Sequence, residues 1–190
     1  MISIDTPLYR GMIDTSGARI FEWDLKKYKD TTSPGSGPVN LFKDSPLGFS
    51  TLLRLEGYDI PEYIPFEFGG PDEVSVTDGK KDITFSWTSP EGVSVKKIYE
   101  IDASSYNLKQ RFEVTNPSSA SVRRKLDIVW DGYIENRGRE GNTKSFVALV
   151  SSDLERLDKK PKSETRYSGV VEWFGYSQKY FITTFLPETD

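Results

Sequence analysis

Apolar and polar residues alternate with a period of two through the middle of this chain, and this alternation limits the folds open to it. The stretch DITFSWT, residues 82–88, places its isoleucine, phenylalanine and tryptophan on one face and its polar residues on the other. Residues 92–102 and 106–115 alternate in the same way. Successive side chains of a β-strand point to opposite faces, so each stretch predicts an antiparallel strand with one buried face.

The segments between these strands are short and rich in turn-forming residues. Consecutive strands joined by short turns predict a meander, and we expect residues 122–130 to form its fourth strand. The basic residues Arg123, Arg124 and Lys125 at the start of that strand are typical of a solvated edge that discourages sheet-to-sheet aggregation. The turn segments are TDGKKD (77–82), SPEG (89–92), DASS (102–105) and NPSSA (116–120).

The two ends of the chain continue the β pattern. Near the start we expect strands at 8–14 and 19–28, the second with Phe21, Trp23 and Leu25 facing inward, followed by a loop at 29–40. Towards the end we expect one strand at 145–151 and two buried strands within 169–187, separated by a break near Gly175. No helix of ten or more residues is expected, so the sequence predicts an all-β fold, a large antiparallel sandwich that forms a single domain over residues 1–190.

Composition excludes several kinds of chemistry. The chain has no histidine and no cysteine, which removes the commonest general base, the commonest transition-metal ligand and the thiolate nucleophile. The net charge of −4 gives no electrostatic footprint for nucleic acid. No glycine-rich loop precedes a helix, so phosphate binding of the P-loop kind is not indicated. We therefore expect no cofactor, no metal and no nucleic-acid partner.

The stretch DTSG, residues 14–17, resembles the nucleophile loop of aspartic proteases. Those enzymes need Asp-Thr-Gly or Asp-Ser-Gly twice, because two carboxylates share one proton. Here Ser16 displaces the glycine, and a second copy is missing, although a homodimer would supply one. Asp, Ser and Gly are turn residues, so the sequence favours a β-turn over a catalytic Asp14.

Other carboxylates and several aromatic residues are further candidates for a functional site. Asp131, Glu135, Glu140 and Glu172 are conceivable glycosidase carboxylates, but among 29 acidic residues no pair stands out. Three aromatic residues border predicted loops, where they fit either core packing or a groove that binds sugar or peptide. These partner- or ligand-binding candidates are Trp130, Tyr133 and Trp173.

Three motifs occur in order along nearly the whole chain. The first, in 13–30, is a Thr-x-Gly-Ala turn and a strand that ends in Leu-x-x-Tyr. The second, in 95–116, is a Lys-x-Tyr strand, a turn, and a strand that ends in Val-x-Asn. The third, in 173–187, is Trp, then Tyr-Phe, then Pro. Together they resemble the periplasmic domain of YidC-type membrane protein insertases. The residues matched in the first and third motifs are Thr15, Gly17, Ala18, Ile20, Leu25, Tyr28, Trp173, Tyr180, Phe181 and Pro187.

This resemblance implies a β-supersandwich, related in shape to galactose-mutarotase and carbohydrate-binding domains. It implies a non-catalytic periplasmic domain of a bacterial inner-membrane protein, with an accessory or scaffold role in inserting and folding membrane proteins. The implied partners are Sec translocon subunits and nascent inner-membrane proteins, with membrane tethering through parts absent from this chain. Family domains usually continue past the third motif, so an incomplete C-terminus is expected. The alternative function is a carbohydrate-binding β-sandwich module.

Overall fold

The computed structural model describes residues 1–43, 48–117, 123–130, 136–137, 142–143, 145–157, 163–177 and 180–188. Regular structure in these residues consists of strands, and none of them belongs to a helix long and apolar enough to cross a membrane. The strands are β1 (Ile2–Asp5), β2 (Tyr9–Asp14), β3 (Arg19–Lys29), β4 (Pro38–Asn40), β5 (Phe49–Leu55), β6 (Glu67–Phe68), β7 (Glu73–Ser75), β8 (Lys80–Thr88), β9 (Ser94–Asp102), β10 (Leu108–Thr115), β11 (Arg124–Trp130), β12 (Asn136–Arg137), β13 (Asn142–Thr143), β14 (Ser145–Val150), β15 (Asp153–Leu157), β16 (Val171–Ser177) and β17 (Ile182–Phe185).

The chain divides into two compact units, Met1–Asp131 and Gly132–Asp190. The first unit holds two sheets. The large sheet has the strand order β11-β5-β3-β2-β1-β7, with β4 paired to β3, and the meander sheet has the order β10-β9-β8-β6. All pairs are antiparallel except β1 with β7.

The core of the first unit lies between these two sheets. Tyr9 and Trp23 of the large sheet stack with ring centroids 4.5 Å apart. Phe85 and Tyr99 of the meander sheet meet edge to face at 6.1 Å. The Tyr9 hydroxyl donates across the core to the Asp102 carbonyl oxygen at 3.4 Å. Two largely antiparallel sheets with a shared apolar interior form a sandwich, which confirms the all-β fold class that the alternation predicted.

A β-bulge changes the inward-facing set of β3. Met12 pairs with Glu22, but the next residue, Ile13, pairs with Ile20, so Phe21 is the extra residue of β3. Ile20 is buried and Phe21 is only half-buried. The expectation that Phe21 faces inward with the buried residues Trp23 and Leu25 is therefore wrong, because one inserted residue shifts the alternation at that point. The strand around it was placed correctly.

The fourth strand does not join the meander. β11 pairs along its whole length with β5, so it lies at the end of the large sheet. Alternation shows which face of a strand is buried, but it does not identify the neighbouring strand. Residues 38–40 were also expected in a loop, yet they form β4, which pairs with the far end of β3.

The second unit is built on one sheet with the order β15-β14-β16-β17, and β12 pairs separately with β13. The predicted break near Gly175 is wrong, since Gly175 lies inside β16 opposite Thr184. A Cβ atom at Gly175 would overlap the Thr183 carbonyl oxygen, so glycine is needed here for close backbone approach. The two strands are not fully buried either, because Val171 is 39% exposed and Ile182 is 55% exposed.

Candidate functional site

The turn between β2 and β3 contains the DTSG stretch. Asp14 uses one carboxylate oxygen, Oδ1, to accept the Ser16 backbone N–H at 3.0 Å, and the other, Oδ2, to pair with Arg19 at 2.9 Å. Gly17 has a φ of +74°, in the left-handed region that glycine adopts without strain. Both oxygens of Asp14 are thus used in holding the turn, as in an Asx-turn. The β-turn interpretation of this stretch is confirmed.

A second segment, residues 64–66, forms hydrogen bonds to the same turn from outside the hairpin. The Gly17 N–H donates to the Ile64 carbonyl oxygen at 2.8 Å, and the Phe66 N–H donates to the Thr15 carbonyl oxygen at 3.1 Å. Ser16 forms a β-bridge with Pro65. The irregular segment before β6 is therefore attached to the turn by main-chain hydrogen bonds.

Two polar side chains of β9 reach the turn from the meander sheet. The Lys97 ammonium Nζ is buried and donates to the Gly17 carbonyl oxygen at 2.7 Å and to the Thr51 carbonyl oxygen at 3.4 Å. The buried Tyr99 hydroxyl donates to the Ala18 carbonyl oxygen at 2.6 Å. We call Lys97 and Tyr99, with the carbonyl groups of Gly17 and Ala18, the turn clamp. It ties the β2–β3 hairpin to the opposite sheet.

Burial controls the titration of the turn clamp. Loss of hydration, helped by the positive charge of Arg19, lowers the pKa of Lys97 to about 7. Burial also raises the pKa of the Tyr99 hydroxyl far above its usual value, so it stays protonated and remains a donor. The Lys97 ammonium further lies 5.6 Å from the Tyr99 ring centroid and 5.7 Å from that of Phe112. These contacts fix backbone carbonyls in place, so the geometry favours a structural role.

The alternation within 92–102 contains a signal for this buried lysine. Lys97 occupies the inward position between Val95 and Tyr99, where a period of two requires a residue of the buried face. The Lys-x-Tyr motif names the same two residues that form the clamp. Sequence reasoning alone did not supply their acceptors, because the hairpin turn is about 80 positions away in the chain.

Asp14→Asn tests the structural role of this carboxylate. We expect it to lower the free energy of unfolding by about 1 kcal/mol, since one partly buried ion pair is weakened while the turn can still form. Urea unfolding followed by fluorescence measures this change. Asp82→Asn is the matched control, because Asp82 pairs with Arg111 on an exposed surface and should cost little. An acid-optimum peptidase activity that Asp14→Asn abolishes would contradict the structural role.

The three aromatic candidates are placed differently by the structure. Trp173 lies half-buried in β16. The backbone of Trp130 ends β11 opposite Phe49, while its side chain lies outside the described part of the structure. Tyr133 also lies outside the described residues. The groove that these three residues would line, and the carbohydrate-binding alternative with it, remains a prediction.

Trp173 belongs to a row of apolar side chains across the sheet of the second unit. Leu149 of β14 pairs with Leu154 of β15 on one side and with Trp173 of β16 on the other, so all three share one face. Leu154 is 66% exposed. We call Leu154, Leu149 and Trp173 the apolar row. Large apolar side chains that are grouped and exposed are a feature of interaction surfaces.

Of the four carboxylates considered for glycoside hydrolysis, only Glu172 lies within the described residues. Glu172 accepts the Ser152 backbone N–H at 2.8 Å, so it supports the turn between β14 and β15. Asp131, Glu135 and Glu140 lie outside the described residues. In the part of the chain that the structure describes, acidic side chains form no group of three suited to a metal ion.

Comparison with known proteins decides the family. The model of the YidC periplasmic domain matches residues 1–190, the whole chain. The chain belongs to the YidC periplasmic domain family. It is similar to the "Membrane protein insertase YidC" of Geobacter sulfurreducens, with 30% identity over 187 residues, which are 96% of this chain and 35% of that protein. It is also similar to the protein of the same name from Syntrophus aciditrophicus, with 29% identity over 98% of this chain and 36% of that protein.

A more distant relative extends the comparison. The "Membrane protein insertase YidC" of Brucella suis is 25% identical over all of this chain and 33% of its own length. The chain thus spans about a third of the length of the curated relatives it matches. The resemblance drawn from the three sequence motifs is confirmed, and the chain matches one portion of each of these relatives.

Proposed function

We propose that this chain is the non-catalytic periplasmic domain of a YidC-type inner-membrane insertase, and that it acts as an accessory scaffold. It would provide a docking surface for Sec translocon subunits and for nascent inner-membrane proteins. The observation that carries this proposal is the match of the YidC periplasmic domain model to residues 1–190. Membrane tethering would come from other parts of the longer protein, since the relatives are about three times as long.

Two structural features support a scaffold role. The turn clamp uses its most polar buried side chain, Lys97, to bind backbone carbonyl groups of a distant hairpin. A side chain used in this way stiffens the first unit, which suits a platform that holds its shape while partners bind. In the second unit the apolar row offers side chains for contact, and we propose that Trp130, Tyr133 and Trp173 contribute to partner binding.

Removal of the domain from the longer protein tests the accessory role. We expect cells that carry an insertase without the segment equivalent to residues 1–190 to keep inserting simple single-span membrane proteins. Association with Sec translocon subunits should fall, because the proposed docking surface is gone. Protease protection of a labelled substrate measures insertion, and copurification from solubilised membranes measures association. Complete loss of insertion with a stably expressed variant would contradict an accessory role.

A further inference from the structure

A surface pocket lies where β5 and β11 pair at the end of the large sheet. Its volume is about 360 Å³, and its lining consists of the basic residues Arg54, Arg123 and Lys125, together with Glu56 and the buried Leu55. We call Arg54, Arg123 and Lys125 the basic patch. It is a local positive feature on a chain whose net charge is −4.

The strand register brings like charges together in this patch. Arg54 lies directly opposite Lys125 in the β5–β11 ladder, a placement that destabilises a sheet unless an anion lies between the two cations. Asp127 supplies one carboxylate to both, accepting from Arg54 Nε and from Lys125 Nζ at 2.8 Å each. Both hydrogen bonds hold the pKa of Asp127 below its usual value. The single negative charge of Asp127 is shared by two cations, so the group of three side chains keeps a net positive charge.

Arg123 adds to this excess. Its ion pair with Glu56 has a distance of 3.9 Å, and the two side chains are 90% and 70% exposed. An ion pair so long and so exposed contributes little attraction, so it leaves the Arg123 guanidinium available. The Lys125 side chain is 72% exposed and that of Arg54 is 59% exposed. The three cations can therefore reach an external anion together.

The residues that line the pocket indicate which kind of anion binds there. A protein partner would need an apolar or aromatic anchor at the centre of its interface, but the apolar residue of this pocket, Leu55, is only 6% exposed. Long, exposed cations suit a surface of mobile phosphate groups, because such a surface requires no fixed shape complementarity. We propose that the basic patch docks the domain onto anionic phospholipid headgroups. The proposal rests on the membrane location that belongs to the proposed function.

Vesicle cosedimentation tests this docking with the chain of residues 1–190. Vesicles that contain phosphatidylglycerol should bind the protein at low ionic strength, and vesicles of phosphatidylcholine alone should not. Each cation near an anionic surface contributes about fivefold to partitioning, so the triple variant Arg54→Gln, Arg123→Gln, Lys125→Gln should lose about a hundredfold. The control triple variant Lys80→Gln, Lys81→Gln, Lys96→Gln makes the same change of charge on exposed β8 and β9 positions and should bind like wild type.

A variant that is expected to strengthen vesicle binding gives a second test of the basic patch. Asp127→Asn removes the carboxylate that Arg54 and Lys125 share, so vesicle binding should increase about fivefold. Thermal unfolding checks that each variant is folded. Equal loss in the two triple variants, or no binding of wild type to phosphatidylglycerol vesicles, would overturn the proposal. This experiment measures lipid binding by the isolated chain, whereas the proposed function is tested by insertion and copurification in the longer protein. A failure of the lipid proposal can therefore be told apart from a failure of the proposed function.

Discussion

Replacing Tyr99 with alanine is expected to lower the free energy of unfolding of the first unit by about 4 kcal/mol. Tyr99 is fully buried, packs edge-on against Phe85 and donates its hydroxyl to the Ala18 carbonyl oxygen. The alanine variant removes a large aromatic ring from the core and leaves that buried acceptor without its donor. Equilibrium urea unfolding at constant pH measures the loss.

Tyr99→Phe divides this effect into its two parts. It keeps the ring and removes only the hydroxyl, so the expected loss is about 1 to 3 kcal/mol, the range for an unpaired buried polar group. Ser86→Ala is a control on the neighbouring strand β8, at a half-buried position, and should cost less. If Tyr99→Phe is as stable as wild type, the clamp does not hold the hairpin turn and the aromatic ring alone accounts for the loss in the alanine variant.

The second large effect that we expect is an increase in the free energy of unfolding as the pH rises above 7. The pKa of Lys97 is about 7 in the folded chain, against an ordinary value of 10.5 for a lysine side chain. Between these values the unfolded chain holds a proton that the folded chain has released, so the free energy of unfolding increases with pH. The slope approaches about 1.4 kcal/mol per pH unit, which gives roughly 2 to 3 kcal/mol from pH 7 to pH 9. Below about pH 6 both states hold the proton, and this contribution stays constant at its lowest level.

Lys97→Met should remove most of this pH dependence, because methionine fills similar space without a titratable group. The chain contains no histidine and no cysteine, so no imidazole or thiol titrates in the same interval. Besides burial, the positive charge of Arg19 acts on Lys97. Lys96→Met is the matched control, since Lys96 is exposed on the other face of β9. A wild-type stability that stays flat from pH 7 to pH 9 would contradict the burial of Lys97 as described.

Much of the fold could be predicted because burial on one face leaves a period of two in the sequence. The buried faces of β8 and β9 follow the alternation, including the inward position of Lys97. The bulge at Phe21 could not be predicted, because a single inserted residue leaves no recognisable residue pattern in the sequence. The pairing of β11 with β5 depends on contacts distant in sequence, and alternation carries no information on them.

The candidate surfaces were less accessible to sequence reasoning. The apolar row becomes visible only when the ladder register places Leu154, Leu149 and Trp173 side by side. The basic patch likewise depends on Arg54 and Lys125 meeting across two strands. The sequence indicated a solvated basic edge at Arg123 and Lys125, but Arg54 lies far away in the chain. Both the apolar row and the basic patch therefore depend on the register of the paired strands.

The most direct test of the scaffold role is photocrosslinking in the full-length insertase. A photoreactive residue at Leu154, the most exposed member of the apolar row, would report what binds there, and one at the exposed Asp78 of the first unit would serve as the control. We expect adducts with Sec translocon subunits or nascent inner-membrane proteins from position 154 and far fewer from position 78. No adduct from position 154, or equal labelling from both positions, would contradict the scaffold role.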